Sequence, residues 1–195
     1  MMKVKGIMKG WPLWLVLVLG ACSSPQKVFY QLPVPAVAQH SHASVTQAEG
    51  RQLWVAPVML ADALAGNGLV FQTSPVRYTM ATNNLWASPL DQQLQQALVT
   101  SLRSGLAGWH VFTSGPVTKN TASLRVNVTA FQGRFDGHAV IQGEWVLQDN
   151  QRVITQPFAQ EVALRDDGYD ALVGALATGW QQVAQSVLRQ VKTAD

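Results

Sequence analysis

The stretch from residue 124 to residue 147 leaves this chain the fewest choices of fold. Leu124, Val126, Val128 and Ala130 alternate with Arg125, Asn127 and Thr129. Alternation at period two puts one set of side chains on a buried face and the other in solvent, the pattern of a half-buried strand. Asp136-Gly137 follows, a pair that accepts the backbone of a tight hairpin turn. Ala139, Ile141, Gly143, Trp145 and Leu147 continue the alternation on a return strand. Asp149-Asn150 makes a second turn and 152–164 a third strand. The segment predicts an antiparallel meander, whose apolar face has to be covered by another layer.

Two helical patterns supply that layer. Ser88-Pro89-Leu90-Asp91 reads as a helix start: Ser88 as cap, Pro89 in the first turn, Asp91 completing a capping box. Leu90, Leu94, Ala97, Leu98, Ser101 and Leu102 share one face, and Gln92, Gln93, Gln95 and Gln96 are read as the other. The helix is expected to stop near Gly105 or Gly108. A second helix opens at Asp167-Gly168-Tyr169-Asp170, with Asp167 as cap and an apolar stripe of Leu172, Leu176, Trp180, Val183, Val187 and Val191. Shorter strands are read at 28–32, around Leu53 and Val55, at Val58 to Leu60 beyond Pro57, at 69–80 with an interruption near Pro75, and at 109–113. The expected fold is α+β: a single domain over 28–195, with an antiparallel sheet and two main helices packed on one face. A loop at 33–50, rich in Ala, Ser, Gln and Pro, interrupts it.

The N-terminus carries a different message. Lys3, Lys5 and Lys9 precede an apolar run from Trp11 to Leu19, then Gly20-Ala21. Basic, apolar, small is the order of a secretory signal. The run is about half the roughly 20 residues needed to span a bilayer. Leu19-Gly20-Ala21-Cys22 resembles the lipobox of a bacterial lipoprotein, which implies removal of 1–21, lipidation of Cys22 and a tether at 22–27. Ser23 follows, where such lipoproteins carry Asp for inner-membrane retention, so outer-membrane anchoring is expected. Three of the fourteen Lys and Arg residues lie in this leader, and the eleven that remain balance eleven Asp and Glu. Electrostatic capture of nucleic acid loses its support.

Catalytic signatures are absent from the sequence. It contains no G-x-S-x-G elbow, no H-E-x-x-H and no phosphate-cradling loop. Cys22, the sole cysteine, excludes an internal disulfide and a C-x-x-C site. His40 and His42 lack neighbouring carboxylates and make a poor metal site; His110 and His138 read as structural. Asp166, Asp167 and Asp170 are accounted for by helix capping, more simply than by an acid–base pair. No catalytic residue, metal or cofactor is expected. Trp145 and Trp180 fall on apolar faces and read as core. Trp86 lies in the polar stretch Asn83 to Ser88 and is either a lid over the first helix or, with Asn84 and Leu85, a partner surface.

Tyr30-Gln31-Leu32-Pro33, Leu64-Ala65-Gly66-Asn67-Gly68 and the run from Asn83 to Leu94 (NNLWASPLDQQL) resemble the ABC-type transport auxiliary lipoprotein family. Gly133 to Gly137, Gly143-Glu144-Trp145 and Asp167 to Asp170 follow in the same order. The resemblance implies an accessory role beside a periplasm-spanning protein of the mammalian cell entry (MCE) class, in moving lipid between membranes. The outer membrane is then a partner through the anchor, and a homo-oligomeric ring matching the partner's symmetry is expected. The alternative is a periplasmic lipid carrier with its own apolar cavity.

Overall fold

The computed structural model describes residues 26–33, 50–150 and 152–193. The leader, Cys22, most of the 33–50 loop, His40 and His42 lie outside the described residues. Nine strands and two helices follow in the order β1 (Val28–Tyr30), β2 (Gln52–Val55), β3 (Met59–Leu60), β4 (Gly68–Ser74), β5 (Arg77–Trp86), α1 (Leu90–Gly105), β6 (His110–Phe112), β7 (Thr121–Arg134), β8 (His138–Asp149), β9 (Arg152–Ala163) and α2 (Tyr169–Thr193). The chain is a single α+β domain, as the sequence pattern predicts.

Strand β7 organises the sheet. One edge pairs with β8, which pairs with β9, all antiparallel. This is the predicted meander, with Gly137 at φ +80° and Asn150 at φ +52° in its two turns. The other edge of β7 is served in succession by β2, β3 and β4, each parallel to it. Pro57 lacks an N–H and breaks the ladder between β2 and β3. Backbone bonds from Ala56 N to Leu124 O and from Ala61 N to Val128 O carry it across the break. β5 returns antiparallel to β4, β1 lies parallel to β5, and β6 parallel to β2. The sheet is therefore mixed, where the sequence reading had it antiparallel throughout. Side-chain alternation reports which face is buried; it carries no record of strand direction.

The alternation on β7 also slips once. Val128 faces Gly143 and Ala130 faces Gln142, so Thr129 is an extra residue at a bulge. The inward set changes phase there, and Phe131 faces Ile141 as the next core residue. A Cβ on Gly143 would meet the Asn127 carbonyl oxygen and the Phe158 ring, so the bulge needs a glycine opposite it.

Both helices cover one face of the sheet. Trp145 and Trp180 are fully buried, as expected from their stripes. Trp180 makes edge-on contacts with Phe131 and Phe158, each at 6.3 Å between centroids. Its Nε1–H donates to Leu94 O at 3.0 Å, tying α2 to α1. Trp145 Nε1–H donates to Ser186 Oγ at 3.3 Å. Helix α2 lies close on the sheet because Gly179 sits against Ile141, where a Cβ would clash.

Candidate functional site

Two groups of side chains sit where the domain could meet other molecules. The first is the edge formed by β1 and the C-terminal part of β5. Val28, Phe29 and Tyr30 pair with Asn84, Leu85 and Trp86. The polar stretch read as a connection is thus the end of a ten-residue strand. Trp86 is 4% exposed and packs 6.1 Å from Phe131. Its backbone N–H donates to Asn67 O at 2.7 Å, and Ala87 N–H to Tyr30 O at 2.8 Å. The indole belongs to the core and offers no open surface itself. Asn84 and Leu85 are half-buried beside β1.

Ser88 makes no side-chain cap on α1; the half-in residue is Pro89. Gln93 does that polar work instead. It is 5% exposed, its Oε1 accepts from Leu32 N–H at 2.8 Å, and its Nε2–H donates to Ser88 O at 2.8 Å. The amide thereby fastens the end of β1 to the start of α1. Assigning Gln93 to the solvent face misses this role. The signal is its spacing, three residues after Leu90 and four before Ala97, which places it on the apolar stripe.

The second group lies at the turn between β7 and β8 and the start of α2. Arg134 holds a bidentate pair with Glu161, both oxygens at 2.8 Å, and its Nε–H donates to Asp136 at 2.9 Å. These bonds raise the guanidinium's affinity for its proton and hold both carboxyls below their ordinary range. His138 Nδ1 lies 3.1 Å from Asp136 O. His110 stacks on Phe112 at 5.3 Å. Both fit structural roles. Beside Arg134 is a recess of about 370 Å³ walled by Phe71, Phe135, Leu164, Tyr169 and Leu172. Tyr30 stands near Tyr169, 6.2 Å between ring centroids. Burial, then the Asp170 charge, push the Tyr30 hydroxyl above its ordinary range.

The acidic cluster does not converge on a reacting atom. Asp166 Oδ1 accepts from Asp167 N–H at 2.8 Å. Leu172 N–H bonds to Gly168 O, so Gly168, at φ +102°, opens α2 in the place predicted for Asp167. No group of three or more His, Cys, Asp or Glu side chains among the described residues could hold a metal.

The carboxyl shifts give a pH signature. A carboxylate held below its ordinary range stabilises the fold above that range, and the contribution is lost as pH falls through the depressed value. Arg134→Met is expected to melt below the parent at pH 7. The gap should close as pH drops below about 4, where unfolded-state carboxyls protonate and then the folded ones do. Melting temperatures of both proteins across pH 2.5–7 check this (roughly the full carboxylate range); a gap that stays constant would mean that Arg134 acts through packing alone.

The chain belongs to the ABC-type transport auxiliary lipoprotein family, whose model matches residues 30–187. Among individual proteins, it is 45% identical over 185 residues to the intermembrane transport lipoprotein PqiC of Escherichia coli (strain K12). That match covers 92% of this chain and 97% of the relative. PqiC of Shigella flexneri matches to the same extent. A crystal structure of an uncharacterized protein, 44% identical, superposes with a TM-score of 0.75 and covers 85% of this chain and 99% of its own. A Xanthomonas campestris protein, 18% identical, shares the fold at a TM-score of 0.59 over 87% of this chain and 98% of its own.

Proposed function

We propose that this chain is an outer-membrane lipoprotein facing the periplasm, an accessory component of an intermembrane lipid transport system that docks a periplasm-spanning MCE-class protein. The observation that carries this reading is the 45% identity, over 92% of the chain, to a protein named for intermembrane transport. The Leu19 to Cys22 motif supports the anchor, and Ser23 supports the outer membrane as its site. The role is binding, not catalysis. Shape and apolar contact suit a domain whose charge balances once the leader is removed. A homo-oligomeric ring would match the symmetry of an MCE partner.

The test is recovery of partners from gently solubilised native envelopes through a C-terminal tag. An MCE-class protein in the eluate is the expected result. Phospholipid without a protein partner would favour a carrier with its own apolar cavity, and recovery of neither would overturn the docking role. Native mass spectrometry that finds only monomers, free and with partner, would sink the ring.

A further inference from the structure

Nine large apolar side chains are exposed among the described residues, and four of them, Val76, Tyr78, Met80 and Phe135, gather at one end of the sheet. Val76 is 85% exposed at the turn between β4 and β5, with Tyr78 and Met80 beside it on β5. Phe135 projects from the neighbouring turn after β7, and Val28 and Phe29 lie on β1. β1 runs parallel to β5 with Val28 opposite Asn84, so the chain upstream of Val28 heads toward Arg77 and the hairpin tip. From Asn84 to Arg77 is about 23 Å of strand at roughly 3.3 Å per residue. From Cys22 to Val28 the chain reaches at most about 20–22 Å. A fully extended tether is thus long enough for the anchoring residue to reach the height of the hairpin tip.

The charge at this edge points the same way. Segments 22–33 and 68–86 hold Lys27 and Arg77 and no Asp or Glu. Asp136 and Glu161, at the same end, are engaged by Arg134. Asp166 and Asp167, on the connection from β9 into α2, lie at this end as well, Asp167 in the recess walled by Phe71 and Phe135, so the basic character belongs to the β1–β5 edge alone.

We propose that the β4–β5 hairpin rests on the phospholipid surface that holds the anchor, with Val76, Tyr78 and Met80 in the headgroup region. The proposal rests on the lipidation of Cys22 put forward above. A tyrosine ring suits that depth, where one end is apolar and the other wet. The basic residues suit anionic headgroups. A hairpin this small binds a bilayer weakly alone, but the tether raises its effective concentration at the surface. The consequence is a fixed orientation: the turn after β8 and the segment between β6 and β7 point away from the membrane, toward an approaching partner.

The test uses the full lipidated chain in vesicles of phosphatidylethanolamine and phosphatidylglycerol. Cys22 is blocked by acylation, so a thiol introduced by Val76→Cys takes an environment-sensitive fluorophore selectively. Val117→Cys, half exposed at the opposite end, is the matched control. The expected result is blue-shifted emission at 76, quenched by lipid spin-labelled near the headgroup, with emission at 117 unchanged. Vesicles that float with protein but show equal emission at both positions would overturn the proposal and leave the anchor standing. Blue-shifted emission at 76 that spin-labelled lipid does not quench would also overturn it, because a second protein chain would then cover the hairpin. Protein that fails to float would bring down the lipidation reading and this proposal with it.

Discussion

Trp180→Ala is expected to lower the free energy of unfolding by about 3–5 kcal/mol, the cost of deleting a large buried aromatic side chain. The ring touches Phe131 from β7 and Phe158 from β9, and its N–H reaches α1. Truncation therefore opens a void where three elements meet, and none can close it without leaving its own partners. Trp180→Phe separates packing from hydrogen bonding. It keeps most of the ring and loses the bond to Leu94 O, a net loss of about 1 kcal/mol. Urea unfolding reads both as falls in midpoint at constant slope. A Trp180→Ala protein within about 1 kcal/mol of the parent would mean that the core repacks and the ring network is not what joins helices to sheet.

That ring was legible from the stripe Leu172, Leu176, Trp180, Val183, because helical periodicity reports burial directly. The hairpin of β7 and β8 was legible for the same reason, with Asp136-Gly137 supplying its turn. The parallel pairing of β2, β3 and β4 along β7 was not. It depends on where long connections return the chain, and no residue in those short strands encodes the neighbour it will meet. Trp86 was hidden by its context. Thr82, Asn83 and Asn84 are polar because that part of β5 lies near an edge, so the strand reads as a loop until its last residue turns into the core. Gln93 was misplaced because residue type was weighed above position: a glutamine on an apolar stripe is buried when two backbone groups need its amide.

The candidate site divides in the same manner. The proposed lipidation motif, Leu19 to Cys22, is linear and is read without a fold. The hairpin proposed to meet the membrane is not linear: Val28 and Phe29 lie about fifty residues from Val76, Tyr78 and Met80. Only the parallel register of β1 on β5 turns the chain upstream of Val28 toward the hairpin tip. The Arg134 pair with Glu161 likewise spans the meander and depends on the register of β8 between them.

Cys22→Ala is expected to have the largest effect on where the protein resides. The proposed diacylglyceryl thioether and acylated amine would bury three chains at about 0.8 kcal/mol per CH₂, tens of kcal/mol in all, whereas one myristoyl chain holds only marginally. The thiol is the nucleophile for that modification, so its removal is expected to abolish labelling by palmitate. Without lipidation the leader remains attached, and its apolar run keeps the precursor at the membrane; fractionation of this variant alone is therefore ambiguous. A second protein resolves it, with an ordinary cleavable signal placed directly before Ser23. This form is expected in the soluble periplasmic fraction with the parent's urea midpoint, since among the described residues the buried core begins at Leu32, ten residues beyond Cys22. If the unlipidated form stays on membranes through a high-salt wash, the domain surface rather than the acyl chains is the anchor. Retention lost as salt rises is what the hairpin of Val76, Tyr78 and Met80, with Lys27 and Arg77, predicts for its own weak contribution.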